Sequence, residues 1–403
     1  MLTRIKINGF KSFTNFEMEF SPLSVIAGTN ASGKSNLFDA LKLLSRLAEV
    51  DLRTAFSEQR GNPSELFTQF NEQDFAQEMS FTVDLLLDRQ VKDNWGGEAE
   101  LNHTRLCYGL TIARRKNDKG FEDLFVINES LEKIRPDEDQ WVQQHKLAKP
   151  FTKPLRAGGS REPFIKTEIE NNTQPAIKIR QDGRQGGKAT PAISITQTVL
   201  SSANSVDFPH VFAAKEEMRA WKFLQLNPAD LREPTLKEPG LRDVVSETGK
   251  NLAAALFRIN LQDSYALVEI SRKLNRFLPN FVRVDVIDDE STRQYIIKLY
   301  GEDGREFSSR VLSEGTLRLL TLCVLEQDES YAGLLCFEEP ENGIHPFKIS
   351  AMAELLKDLS TNFSERSPFL RQVIVNTHSP KLVNQMRQWS EDSNVSVHYA
   401  QMR

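Results

Sequence analysis

Residues 28–35 read Gly28-Thr29-Asn30-Ala31-Ser32-Gly33-Lys34-Ser35, and the fold is decided on this stretch. It fits the pattern GxxxxGK[ST]. Gly28 and Gly33 let the backbone curl so that its N–H groups face phosphate oxygens at the positive end of the following helix. In that chemistry Lys34 reaches the β- and γ-phosphates and the Ser35 hydroxyl coordinates Mg²⁺. The flanks suit the pattern. Leu23 to Ala27 reads as a strand, and Lys34 to about Val50 carries Leu37, Ala40, Leu41, Leu44 and Leu47 at helical spacing.

Working outward, residues 2–28 read as β structure. From about 78 to 210, short β-like runs (Met79 to Leu87, Thr104 to Arg114, Ile177 to Arg180) alternate with polar segments. Helical patterning covers 213–226 and 241–277. Phe281 to Val286 and Gln294 to Tyr300 read as paired strands, and 316–326 as a helix. Leu334 to Phe337 is a short, wholly apolar run, as a buried central strand would be, and Gln372 to Val375 reads as another buried strand. Pro346 to Leu359 reads as a helix between them, and Val395 to Tyr399 as a last strand. The expected organisation is an α/β head in two parts, 1–88 and 236–403, with a mixed α and β insertion at 89–235 between them.

Composition bounds the function. The 403 residues are 39% hydrophobic and 27% charged, as in globular proteins with a full core. The net charge of −5 excludes a polycation on average. It is uneven, however: residues 141–200 carry ten Lys or Arg against four Asp or Glu, a local +6 where nucleic acid could bind. A solvated flexible loop is the alternative there. Cys107, Cys323 and Cys336 lack metal or disulfide spacing, which suits a reducing cytoplasm. No apolar run reaches the roughly 18 residues of a membrane span. Asp285, Asp288, Asp289 and Glu290 read as a solvated turn, and His103, His145, His210, His345 and His398 show no ligand spacing.

Asn30 and Asn36 extend the loop to GxNxSGKSN, and Gly9-Phe10-Lys11-Ser12-Phe13 precedes it. This combination resembles the ATPase heads of SMC and RecF proteins and of overcoming-lysogenization-defect (OLD) nucleases. The resemblance implies an ABC-type P-loop NTPase head: a mixed central sheet flanked by helices, with an insertion between Walker A and the signature motif. It implies nucleotide contacts from Lys11, Ser12, Phe13, Gly28, Asn30, Ala31, Ser32, Gly33, Lys34, Ser35 and Asn36. Ala31 stands where many members have Gly.

Three more elements follow in the order the resemblance requires. Leu312-Ser313-Glu314-Gly315-Thr316 looks like the signature. Ser313 and Gly315 open a helix and would receive the γ-phosphate of a nucleotide on the partner subunit, although an ordinary helix cap reads the same way. Leu334-Leu335-Cys336-Phe337-Glu338-Glu339-Pro340 looks like Walker B, with Glu338 for Mg²⁺ and Glu339 as general base. Many members have Asp at the position of Glu338. Glu341 to Pro346 resembles the loop that meets the partner subunit. Asn376-Thr377-His378-Ser379-Pro380 looks like the switch-histidine motif, with His378 contacting the γ-phosphate. Gln69, Gln73 and Gln77 are all candidates for the linking glutamine. The segments 219–223 and 251–254 resemble the OLD-like subgroup.

The resemblance implies an ATP- and Mg²⁺-dependent ATPase that forms a homodimer or higher homo-oligomer through ATP-bound heads. Only 25 residues follow His378, too few for the Toprim nuclease of OLD proteins. The expectation is therefore a cytoplasmic ATPase of an anti-phage defence module, controlling a separate nuclease- or toxin-like effector. A RecF/SMC-like DNA-repair ATPase and a nucleotide-gated scaffold with little hydrolysis are the alternatives.

Overall fold

A computed structural model describes residues 1–30, 32–72, 74–116, 122–145, 147, 162–168, 175–180, 187–191, 196–365 and 370–401. The chain divides into two compact units, each assembled from separated segments.

The first unit comprises 1–21, 33–221 and 362–370. Its sheet starts from β1 (Leu2–Asn8) and β2 (Phe16–Glu19), and β3 (Leu23–Ala27) belongs to the other unit. Helices α1 (Lys34–Leu47) and α2 (Leu52–Ser57) follow. Then come β4 (Glu78–Leu86), a small ribbon of β5 (Gln90–Lys92) and β6 (Glu98–Glu100), and the long pair β7 (Arg105–Lys116) and β8 (Glu122–Lys133). Helix α3 (Gln140–His145), strands β9 (Ile165–Glu168), β10 (Ala176–Arg180) and β11 (Gly187–Pro191), and helix α4 (Pro209–Arg219) complete it. Eight strands pair in the order β11-β10-β9-β8-β7-β4-β1-β2, antiparallel throughout. Strand β1 alternates in burial, with Ile5 and Ile7 in the core, as a sheet with one covered face requires. The expected insertion at 89–235 includes β7 and β8, which extend the same sheet that β1 and β4 begin.

The second unit comprises 22–32, 222–361 and 371–403. It holds β3, β12 (Lys222–Leu224), α5 (Pro228–Arg232), β13 (Thr235–Leu236), α6 (Leu252–Gln262), α7 (Ala266–Phe277), β14 (Phe281–Asp289), β15 (Gln294–Gly301) and β16 (Glu306–Ser308). Next are α8 (Glu314–Gln327), β17 (Gly333–Glu338), α9 (Ile349–Asp358), β18 (Arg371–Thr377), α10 (Pro380–Arg387) and β19 (Val395–Tyr399). Five strands lie parallel in the order β12-β17-β18-β3-β19. All five residues of β3 and residues 333–337 of β17 are buried, which is why both are mainly apolar, Ser24 being the polar residue of β3. Helix α8 buries every residue from Thr316 to Leu325, as a central helix does. Strands β13 to β16 form a separate antiparallel sheet.

Two expectations need correction. The helical pattern of 213–226 ends at Arg219, because Lys222 to Leu224 pair with Leu335 to Phe337 as an edge strand. Tertiary pairing there overrides local propensity. The pattern of 241–277 yields helix only from Leu252, because Gly249 (φ +94°) and Asn251 (φ +66°) hold left-handed backbone just before it. Strand β8 leaves no distinct mark in the sequence pattern. Most of the basic stretch 141–200 lies outside the described residues. Of its described cations, Lys166 and Lys178 pair with Glu168, and Arg180 pairs with Glu162 and Glu168.

Candidate active site

In the second unit, register sets the geometry. Strands β17, β18 and β3 run parallel with Glu338 opposite Asn376, and with Thr377 opposite Ala27. The chain therefore leaves three adjacent strands at the same end of the sheet, at Gly28, Glu339 and His378. Carboxyl ends of parallel strands are where open α/β sheets bind ligands. Gly28 is held tightly: a Cβ there would lie 2.8 Å from the Ala400 carbonyl oxygen and 2.7 Å from Ser32 Oγ. Asn30 is exposed, and Ala31 lies outside the described residues.

Glu339 adopts a left-handed backbone (φ +45°), uncommon for a non-glycine residue and concentrated at functional sites. Its N–H donates to the Asn376 carbonyl (2.8 Å), which pins the turn to β18. The carboxylate has one partner on each oxygen. His378 Nδ1 lies 2.9 Å from Oε1, and Asn342 Nδ2 donates to Oε2 at 2.7 Å. Glu338, the residue before, is half-buried at the end of β17.

The residues around His378 have local explanations. The Thr377 hydroxyl donates to the buried Glu341 carboxylate. It also accepts the Ser379 N–H at 2.9 Å. Ser379 caps α10, and Pro380 occupies its first turn, where a missing N–H costs nothing. His378, between these anchors, keeps about half its side chain exposed (48%) and faces Glu339.

Ser313 is the N-cap of α8, its hydroxyl accepting the Thr316 N–H at 3.2 Å. The ordinary cap is thus formed in this structure. Gly315 packs on the loop after Walker B: a Cβ there would come within 3.1 Å of the Gly343 carbonyl oxygen. Gly343 is itself left-handed (φ +73°), with Glu314 over it. Glu314 is in turn held by Arg318 at 2.8 and 3.0 Å.

In the first unit, α1 begins at Lys34 with Gly33 as N-cap (φ +87°), with neither a side-chain cap nor an acidic residue in its first turn. Uncapped N–H groups and the helix dipole suit an anion at this end. Lys34 is buried and Ser35 exposed. The Lys11–Phe13 turn sits against the same helix. Ser12 Oγ accepts Asn36 Nδ2 at 2.8 Å, and Lys11 Nζ pairs with Asp39 at 2.6 Å. Phe13 packs its ring on Phe16 at 4.5 Å. Of the candidate glutamines, Gln69 and Gln77 are exposed, and Gln73 lies outside the described residues.

No group of three or more His, Cys, Asp or Glu side chains capable of holding a metal occurs among the described residues. A nucleotide-borne Mg²⁺ does not need one, since it takes one or two protein oxygens and completes its shell with phosphates and water. The Ser35 hydroxyl and the Glu338 carboxylate are oxygen donors of that kind. The cluster at Asp285 to Glu290 is not a turn throughout, because Asp285, Asp288 and Asp289 pair along β14 with β15 and only Glu290 lies in the turn beyond it. Asp289 bonds Ser291 and Thr292, and Lys237 pairs with Asp288 and Glu290. Among the described residues no helix is long and apolar enough to cross a membrane. Signals that could have revealed Asn342, Glu341 and Thr377 are weak, because their roles depend on loop conformation.

Two family models match separate stretches of the chain. Residues 1–154 match the family model described as "AAA ATPase domain". Residues 189–384 match the one described as "AAA domain, putative AbiEii toxin, Type IV TA system". No curated protein matches the chain. Similar solved structures include the SMC head bound to the C-winged helix domain of ScpA, at 15% identity, 95% and 92% coverage of the two chains, and a TM-score of 0.49. The SMC head domain from Thermotoga maritima is another, at 13% identity, 95% and 91% coverage, and a TM-score of 0.39.

Proposed function

We propose that this chain is an ABC-type ATPase of the SMC/RecF-like group, and that it binds ATP through the Gly28–Ser35 loop and hydrolyses it with Glu339 as general base. The matches of its two stretches to AAA-type ATPase families support the reading. The observation that carries the reading is the Glu339 carboxylate itself. It stands on a left-handed turn at the end of a buried parallel strand, held between His378 and Asn342. A carboxylate fixed in this way can take the proton of a water attacking the γ-phosphorus, while ADP leaves.

The remaining roles follow the motifs. Lys34 binds the β- and γ-phosphates. Ser35 and Glu338 hold Mg²⁺, which when bound neutralises charge developing on the phosphates. Lys11, Ser12, Phe13, Asn30, Ala31, Ser32, Gly33 and Asn36 cradle the nucleotide. His378 contacts the γ-phosphate. Ser313 and Gly315 receive the nucleotide of a second copy, so that ATP holds a homodimer together. The left-handed Gly343 and its contacts to Glu314 and Gly315 support a pre-shaped surface there.

The output of hydrolysis is control of a separate effector in a defence module within the cytoplasm. The AbiEii and toxin–antitoxin wording of the family matched by residues 189–384 supports this over a DNA-repair role. Ion pairing of Lys166, Lys178 and Arg180 also removes part of the support for a nucleic-acid surface. The test is phosphate release from Mg²⁺-ATP by the full chain, with and without duplex DNA. Turnover that is abolished in Lys34→Ala and indifferent to DNA supports the reading. Absence of turnover refutes it, and strong stimulation by DNA favours repair.

A further inference from the structure

We infer that Asn342 is a positioning residue that fixes the general base. This rests on reading Glu339 as that base.

The case starts from the two carboxylate oxygens. Each has one donor: His378 Nδ1 at Oε1 (2.9 Å) and Asn342 Nδ2 at Oε2 (2.7 Å). With both in place the carboxylate plane is set, and rotation about its last bond must break one of them. If His378 turns to a γ-phosphate, Asn342 alone keeps Glu339 aimed.

Asn342 suits that task because its backbone is tied to the same residue. Its N–H donates to the Glu339 carbonyl at 3.1 Å, so donor and acceptor belong to one tight turn. The turn is held from outside as well. The Ile344 N–H donates to the Glu341 carbonyl at 3.0 Å, and Glu341 is buried and bonded to Thr377. Gly343, next in the chain, is covered by Glu314. The Asn342 side chain itself is exposed, so packing gives no reason for an amide there. The amide has a chemical reason: it donates to a carboxylate without adding a charge. An aspartate of the same shape would present a second carboxylate to Glu339 and repel it.

Shape and chemistry can therefore be separated by experiment. Asn342→Ala and Asn342→Asp would be compared with the wild-type full chain for ATP turnover and equilibrium ATP binding. The expectation for Asn342→Ala is a kcat lower by about tenfold or more with ATP affinity within about twofold, as for a misplaced catalytic group. Asn342→Asp should be slower still, although it is the closer match in volume. A residue of merely structural value predicts the reverse order, with Asp tolerated better than Ala, and that order overturns the proposal. So does wild-type kcat in Asn342→Ala, or a variant whose thermal unfolding transition is lost. If the wild-type chain itself shows no turnover, the general-base reading fails and this inference with it. Wild-type turnover with unaffected variants removes Asn342 alone.

Discussion

Replacing Glu339 by Gln isolates the proton transfer from everything else the residue does. The two side chains have the same shape and require the same left-handed backbone, so the turn at φ +45° is retained. Gln Oε1 can still accept from His378 Nδ1. Its amide nitrogen takes the place of Oε2, and the exposed Asn342 amide turns over to present its oxygen instead of its nitrogen. The change in folding stability is therefore expected to be about 0.5 kcal/mol or less. What is lost is basicity. A positioned general base contributes about 10²–10⁴ in rate, which at about 1.4 kcal/mol per decade is roughly 3–5 kcal/mol on the barrier. ATP binding lies upstream of that step and should persist. The assay combines steady-state phosphate release, equilibrium binding of ATP, and mass in solution with ATP present. Turnover should fall at least about a hundredfold while the ATP-bound homodimer accumulates. Wild-type turnover would remove Glu339 from the mechanism. Loss of ATP binding would show that its place is in holding the nucleotide.

Gly28→Ala should weaken ATP binding about tenfold or more, because its Cβ would sit 2.8 Å from the Ala400 carbonyl oxygen and force the phosphate loop to shift; equilibrium titration checks this, and unchanged affinity refutes it. Arg371→Ala should destabilise the fold by about 3 kcal/mol or more. Its guanidinium donates to the carbonyls of Glu326, Asp328 and Tyr331 at 2.7–2.8 Å, closing the end of α8, and a urea unfolding curve with a wild-type midpoint would contradict this. Glu129 is buried against Tyr108 and the Val199 and Leu200 N–H groups, and burial raises its carboxyl from the ordinary 4.5 to about 7. The folded chain then holds that proton more tightly than the unfolded chain does, so this group's contribution to stability is greatest below pH 4.5 and declines as pH rises to about 7. Glu129→Gln should remove that decline, seen as a wild-type-minus-variant difference in urea midpoint that changes across this window and is flat above it; a constant difference would exclude Glu129 as its source.

How much of this was legible in the sequence depends on how local the physics is. The phosphate loop, Walker B and switch motifs all lie where a buried parallel strand ends. Such a strand shows itself as a mainly apolar run, as Leu334 to Phe337 and, but for Ser24, Leu23 to Ala27 do, and the first polar residues after it must stand at the sheet's carboxyl edge. Glu339 and His378 could be read as residues of one edge on that ground alone. Their contact needs more. They are 39 positions apart and meet because β17 and β18 are neighbours in a register that sets Glu338 opposite Asn376. The sequence shows two apolar runs and no register. Strand β12 was hidden for the same reason: Lys222 to Leu224 continue a helical pattern and become a strand only by pairing with Leu335 to Phe337. Asn342 is a further step removed. Its position in Glu341-Asn342-Gly343 identifies a turn, but its donation to Glu339 depends on left-handed backbone at both Glu339 and Gly343. Only the glycine of that pair signals such a conformation. At Glu339 the strained backbone is taken up by a residue that carries no mark of it. The sequence therefore places Glu339 at the sheet edge and conceals what holds its carboxylate, and so the Asn342 variants test something that the motifs alone could not have posed.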